Sequence, residues 1–196
     1  MDKAIFLDRD GVINYPVFNP TTNQYEAPLK EEDLKLFPWV IDSLKGLIDL
    51  NYKLFLVSNQ PDYAKGKTTL ENLLQAHNKL NKILVDNNIN FTEYYYCYHH
   101  PQGIIPEYTM VCECRKPGNL FLREASFKYN INLPFSWMVG DSDVDIFCGQ
   151  SVGVRTIMIS LKESAHRTGK SKPEFSVNSL KEAIEIIKKE NENAKR

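Results

Sequence analysis

The stretch KAIFLDRDG, Lys3 to Gly11, decides how this chain is read. Its first half is apolar and its second half carries two carboxylates. A short apolar run without alternation reads as a parallel strand buried on both faces. The strand ends in Asp8-Arg9-Asp10-Gly11. Two acids straight after a buried segment are costly unless something binds them. A divalent cation would neutralise them, and Gly11 would let the chain turn sharply and bring backbone amides near an anion. One carboxylate is then placed to attack phosphorus. The other is placed to protonate a leaving oxygen and later to deprotonate water. Taken alone, Asp-x-Asp fits solvated acids at a strand end equally well.

Outward from this strand the pattern repeats. A polar stretch from Arg9 to about Leu36 reads as a long loop, a length usually tied to function. Pro38 then stands at a plausible first helical position, and Val40, Ile41, Leu44, Leu47 and Ile48 follow at helical spacing. Residues 53–59 (KLFLVSN) form a second buried strand. From Thr69 to about Asp86 a helix is expected, with Leu70, Leu73, Leu74, His77, Leu80, Ile83 and Leu84 on one stripe. A strand over 91–98 and a loop over 99–115 follow, then a helix over 119–129. A strand over 136–140, a short helix over 143–152 and a strand over 155–160 come next. A last helix covers 180–189, and residues 191–196 form a charged tail. Strands alternating with helices imply an α/β fold with a doubly wound parallel sheet, here one domain over 1–190. In such sheets the ligand sits beyond the carboxyl ends of the strands.

Composition sets the outer bounds. The 196 residues are 42% apolar and 25% charged, with a formal net charge of −1. That excludes the global basic footprint of a nucleic-acid binder. No apolar run approaches the ~20 residues of a membrane span, and the opening MDKAIFLDRD lacks the basic start and long apolar core of a signal peptide. A cytoplasmic protein is expected. In such a reducing compartment the cysteines Cys97, Cys112, Cys114 and Cys148 are metal ligands more often than disulfide partners.

The other strand ends repeat the polar theme. Ser58-Asn59 offers a hydroxyl and an amide to a phosphoryl group, or simply makes a turn. Arg115-Lys116-Pro117 offers two cations before a helix, able to orient a nucleophile and offset phosphate charge. Gly140-Asp141-Ser142-Asp143-Val144-Asp145 sets three acids around a strand-to-helix turn, a donor set suited to magnesium. Acids at a helix N-terminus explain Asp143 and Asp145 as well, but Asp141 less well.

In order and placement these four segments, FLDRDGVIN, LFLVSNQ, CRKP and VGDSDVD, resemble the haloacid dehalogenase (HAD) superfamily. The resemblance implies a Rossmann-like HAD fold. It makes Asp8 the nucleophile and a Mg2+ ligand. Asp10 becomes the general acid/base and gives its backbone carbonyl to the metal. Ser58, Asn59, Arg115 and Lys116 become the phosphate-binding set. Asp141 becomes the third protein ligand to Mg2+, and Asp145 a supporting carboxylate.

Cys97-Tyr98-His99 is followed, after twelve residues, by Cys112-Glu113-Cys114. Three thiolates and one imidazole make a closed tetrahedral Zn2+ site, which is structural because no position stays open. It would stiffen a long loop that runs straight into Arg115-Lys116. The segments CYHHPQG and CECRKP, with DRDGVIN and SNQ, are similar to the D-glycero-D-manno-heptose 1,7-bisphosphate phosphatase family. Histidinol phosphatases are near relatives of it. That resemblance implies a capless monomer that hydrolyses the C7 phosphate of a sugar bisphosphate during bacterial heptose synthesis for lipopolysaccharide. The chain departs from the family pattern at Pro61-Asp62, Ser142 and Lys116-Pro117-Gly118, none of them the nucleophile. Histidinol-phosphate phosphatase, polynucleotide 3′-phosphatase and a non-enzymatic zinc-stapled binding domain stand as alternatives.

Overall fold

The expected first strand forms as β1 (Lys3–Leu7), with Ala4 to Leu7 wholly buried. It lies inside a six-stranded sheet in the order β5-β4-β1-β6-β7-β8, in which every neighbouring pair is parallel. The other strands are β4 (Tyr52–Asn59), β5 (Glu93–Cys97), β6 (Trp137–Gly140), β7 (Arg155–Ile159) and β8 (Phe175–Val177). The structure is a computed structural model and describes residues 1–193.

Side chains alternate across the sheet, so each strand feeds two cores. Ile5 and Leu7 join Leu54, Leu56 and Val139 on one face. That face is covered by α1 (Val40–Asp49), α2 (Leu70–Asp86) and α5 (Leu180–Asn193). Ala4 and Phe6 join Phe55, Val57 and Met138 on the other, covered by α3 (Leu120–Tyr129) and α4 (Asp143–Gln150). Both faces are buried, which is why these strands read as continuous apolar runs.

From β1 the chain builds outward through β4 and β5, then returns to build β6, β7 and β8 on the other side. The winding reverses between β1 and β6. In doubly wound sheets that reversal opens a crevice at the carboxyl ends of the two strands. Asp8 follows one of them and Asp141 the other.

Several sequence expectations are corrected in detail. The 9–36 stretch is not all loop: it holds the antiparallel hairpin of β2 (Val17–Asn19) and β3 (Gln24–Glu26), and a 3-10 turn at Glu31–Asp33. No lid domain interrupts β1 to β4, so the fold is capless. Pro38 is not in α1. Phe37 and Trp39 stack with ring centroids 5.1 Å apart, and the helix starts only at Val40. In α2 the buried stripe is Leu73, Ala76, Leu80 and Leu84, whereas Leu70 and Leu74 are exposed. Thr69 caps the helix by accepting from the Asn72 amide at 3.1 Å. Strand β8 was not expected, because three residues among polar neighbours carry no periodicity. Helix α5 runs on to Asn193, so the first half of the expected tail is helical. The remainder, 194–196, lies outside the described residues. No helix among the described residues is long and apolar enough to cross a membrane.

Candidate active site

Asp8 leaves β1 with its amide bonded to the Val139 carbonyl of β6 at 3.0 Å. This ties the two strand ends together. Asp8, Asp141 and Asp145 then bring carboxylate oxygens within 4.8 Å of one another. All three are buried. Lys116 enters from the segment before α3 and sits 2.8 Å from Asp8 Oδ1 and 2.6 Å from Asp145 Oδ1. Its ammonium also donates to the Val57 carbonyl at 2.6 Å. Burial pushes the Asp8 carboxyl up to about 6; Lys116 pulls it back, and Asp145 and Asp10 push it further up. Burial also lifts Asp141, to about 8, against the lowering effect of Arg167. Burial works against the Lys116 charge, but Asp145 and Asp8 outweigh it and hold the lysine above its ordinary range.

Asp145 does more than neutralise Lys116. Its Oδ2 accepts from both the amide and the hydroxyl of Ser142 and so closes the N-terminus of α4. Asp143 turns away from the cluster and accepts from the Lys170 and Ser171 amides, each at 2.9 Å.

Asp10 is gripped from several sides. Arg9 Nε donates to its Oδ1 at 3.1 Å, Asn14 Nδ2 to Oδ1 at 2.9 Å, and Gln60 Nε2 to Oδ2 at 2.6 Å. Arg9 is itself buried and donates to Gln60 Oε1 at 2.8 Å. Gly11 has φ +88°, and a Cβ there would stand 2.0 Å from Asp141 Oδ2, so only glycine lets the first turn pass the second acid.

The donor set fits a hard divalent cation. It is all oxygen, it gathers several carboxylates, and Asp141 Oδ1 is buried without any hydrogen-bond partner. A buried acceptor of this kind is left unpaired only at a cost, which a bound cation removes.

Above the acids opens a cavity of about 750 Å³. Asp8, Asp10, Asn59, Arg115 and Lys116 all line it, as expected. Ser58 does not. It is buried, and its hydroxyl accepts from Gln60 Nε2 at 2.9 Å. Strand alternation turns Ser58 and Asn59 to opposite sides, and Asn59 is the one that reaches Lys116. Its side chain receives the Lys116 amide and donates to the Lys116 carbonyl, both at 3.0 Å. Asp62 is also buried at the cavity, 3.8 Å from Lys67. The rim is made by β3 and by the segment after β7, which supplies His166, Arg167 and Lys170.

The four donors expected for zinc converge. Cys114 Sγ lies 3.2 Å from Cys97 Sγ and 3.3 Å from Cys112 Sγ, and His99 Nδ1 lies 3.3 Å from Cys114 Sγ. All the cysteines are free of disulfides. A tetrahedral zinc–thiolate site has sulfurs roughly 3.8 Å apart, so a small outward relaxation accommodates the ion.

Sequence reading missed Arg9, Asn14 and Gln60 around Asp10, and Ser164 and Arg167 beside Asp141. Ser164 Oγ donates to Asp141 Oδ2, and Arg167 Nη2 reaches the same oxygen at 2.6 Å. A signal existed: the rule that ligands gather beyond strand ends applies to β7 as well, and the polar residues after it include both.

Known proteins resemble this chain in sequence and in fold. A family model described as HAD-hydrolase-like matches residues 113–183. The D-glycero-beta-D-manno-heptose-1,7-bisphosphate 7-phosphatase of Salmonella typhi is 32% identical over 188 residues, 95% of this chain and 96% of that protein. The D-glycero-alpha-D-manno-heptose-1,7-bisphosphate 7-phosphatase of Photorhabdus laumondii is 33% identical over 152 residues, 78% of this chain and 79% of that protein. Among solved structures, the D,D-heptose 1,7-bisphosphate phosphatase from B. bronchiseptica, complexed with magnesium and phosphate, superimposes with a TM-score of 0.79. It covers 96% of this chain and 99% of its own, at 21% identity. With 32% identity to the Salmonella typhi enzyme over nearly the full length of both chains, this protein belongs to the heptose-1,7-bisphosphate 7-phosphatase family of HAD-like hydrolases.

Proposed function

We propose that the chain is a Mg2+-dependent phosphatase that removes the C7 phosphate of D-glycero-D-manno-heptose 1,7-bisphosphate. The observation that carries this reading is the juxtaposition of Asp8 and Lys116 beside the unpaired Asp141 oxygen, at the floor of an open cavity. Asp8, Asp141 and the Asp10 backbone would hold Mg2+, which when bound offsets phosphate charge.

The residues then divide the work. Lys116 keeps Asp8 ionised and faces the phosphoryl oxygens, with Arg115 and Asn59 beside it. Asp8 attacks phosphorus; the bond to the sugar C7 oxygen breaks, and Asp10 gives that oxygen its proton. Water then attacks the aspartyl-phosphate, Asp10 takes the proton, and phosphate leaves with Asp8 restored. Catalysis of this kind is chiefly positioning and charge balance. The Cys97, His99, Cys112 and Cys114 group would hold a structural zinc. The near-neutral charge favours a small sugar phosphate over nucleic-acid ends, and we take the enzyme to be a cytoplasmic monomer.

The test is a phosphate-release screen with Mg2+ over both anomers of heptose bisphosphate, histidinol phosphate and a 3′-phosphorylated oligonucleotide. The highest kcat/KM is expected on a heptose bisphosphate, and Asp8→Asn should cut kcat by about 10⁴-fold or more with the fold intact by circular dichroism. A folded Asp8→Asn variant that keeps its rate removes covalent catalysis, and a preference for histidinol phosphate removes the substrate.

A further inference from the structure

We propose that Ser164 and Arg167 are positioning residues that clamp one oxygen of Asp141 so that its other oxygen is presented to the catalytic cation. The inference rests on the reading of the site as a divalent-metal phosphatase centre. Asp141 is wholly buried, and its two oxygens differ sharply. Oδ2 accepts from the Ser164 hydroxyl and from Arg167 Nη2, and Arg167 Nη2 also donates to Ser164 Oγ at 3.0 Å. The glycine backbone at Gly11 packs against the same oxygen. Oδ1 has no partner. Its carboxylate is the one that meets those of Asp8 and Asp145. A carboxylate held on one oxygen by two donors cannot rotate to exchange its two oxygens.

The clamp is itself anchored. Ser164 and Arg167 belong to the 3-10 segment Lys162–Arg167, just beyond β7. The next residues are tied back to α4, where Asp143 receives the Lys170 and Ser171 amides. Helix α4 also carries Asp145. The metal-facing acid, its clamp and the lysine's counter-ion are thus all referenced to one short helix. Groups that orient a metal ligand from behind typically matter 10- to 100-fold in metal affinity.

Arg167 also brings a positive charge near the cation, which by itself would weaken metal binding. Ser164 brings none. The two readings therefore predict opposite results. Mg2+ should be titrated calorimetrically into zinc-loaded, Mg2+-free enzyme for wild type, Ser164→Ala, Arg167→Gln and Arg167→Lys. Positioning predicts a Kd for Mg2+ raised about tenfold or more in both Ser164→Ala and Arg167→Gln, partial recovery in Arg167→Lys, and kcat largely restored at saturating Mg2+. Unchanged or tighter Mg2+ binding in either of the first two variants overturns the clamp. If Arg167→Gln does not fold, Ser164→Ala decides alone. A wild-type protein that binds Mg2+ but hydrolyses no sugar phosphate sinks the proposed function, while the same affinities still decide the clamp.

Discussion

At the residue scale, the charges of the site turn on Lys116. It is 2% exposed, held by two buried carboxylates and one carbonyl. A single cation serving two acids gives Asp8 and Asp145 their counter-charge without a second lysine. Lys116→Met keeps most of the volume but leaves both acids buried without the lysine's counter-charge. Breaking a buried pair from one side typically costs about 3–5 kcal/mol, and urea unfolding followed by circular dichroism should read a loss of that size. A loss under about 1 kcal/mol would show that the two acids simply take up protons at little expense. That Asp8, Asp10, Lys116 and Asp141 gather at neighbouring strand ends was legible because each sits in a short local motif. Ser58 lies off the cavity, because which way a strand-end residue points depends on the sheet around it. Arg167 was illegible, because an arginine in a polar loop looks the same whether it meets solvent or a buried acid.

At the element scale, the cysteine–histidine loop and the cations Arg115 and Lys116 form one contiguous unit. Cys97 ends β5, while Cys112 and Cys114 lead directly into Arg115 and Lys116. Asn59 at the end of β4 then fixes the Lys116 backbone from the far side. The bound ion would close this loop between two strand-anchored ends. Elemental analysis should find about one zinc per chain. Cys112→Ser should lose that zinc, lower the melting temperature and reduce kcat/KM by about tenfold or more, as Arg115 and Lys116 lose their register. A zinc-free variant with unchanged kinetics would separate the loop from catalysis. The cysteine and histidine spacing was readable in the sequence because both halves of the site are contiguous. Helix α2 shows the opposite case. Its leucines suggested a broad buried stripe, but the sheet covers only the line through Leu73, Ala76, Leu80 and Leu84.

At the scale of the whole molecule, the parallel sheet supplies the floor of the cavity and two peripheral segments supply its walls. The β2–β3 hairpin is braced by the Lys67–Glu26 ion pair at 2.8 Å, and the strap after β7 is braced by Asp143. The strap reaches the buried acids through Ser164 and Arg167, which hold Asp141. Replacing residues 18–25 with two glycines should therefore leave p-nitrophenyl phosphate turnover nearly intact. It should lower kcat/KM on the sugar bisphosphate by about tenfold, equivalent to roughly 1.4 kcal/mol of lost binding. Equal losses on both substrates would mean that the hairpin supports the acids and not the sugar. Recognition by peripheral walls over a rigid floor is what a capless fold makes available.

The alternation of the main strands and helices, the acids and the lysine at the strand ends and the grouped Cys97, His99, Cys112 and Cys114 were legible in the sequence alone, because each rests on spacing within a few consecutive residues. Local spacing dictates local geometry through strand alternation, helical periodicity and sharp turns. Only the tertiary structure decided that β1 and β6 are neighbours, that Asn59 and not Ser58 reaches the cavity, and that Arg167 stands behind Asp141. Those facts depend on contacts between segments far apart in the chain, and no local pattern records which distant segment packs against which.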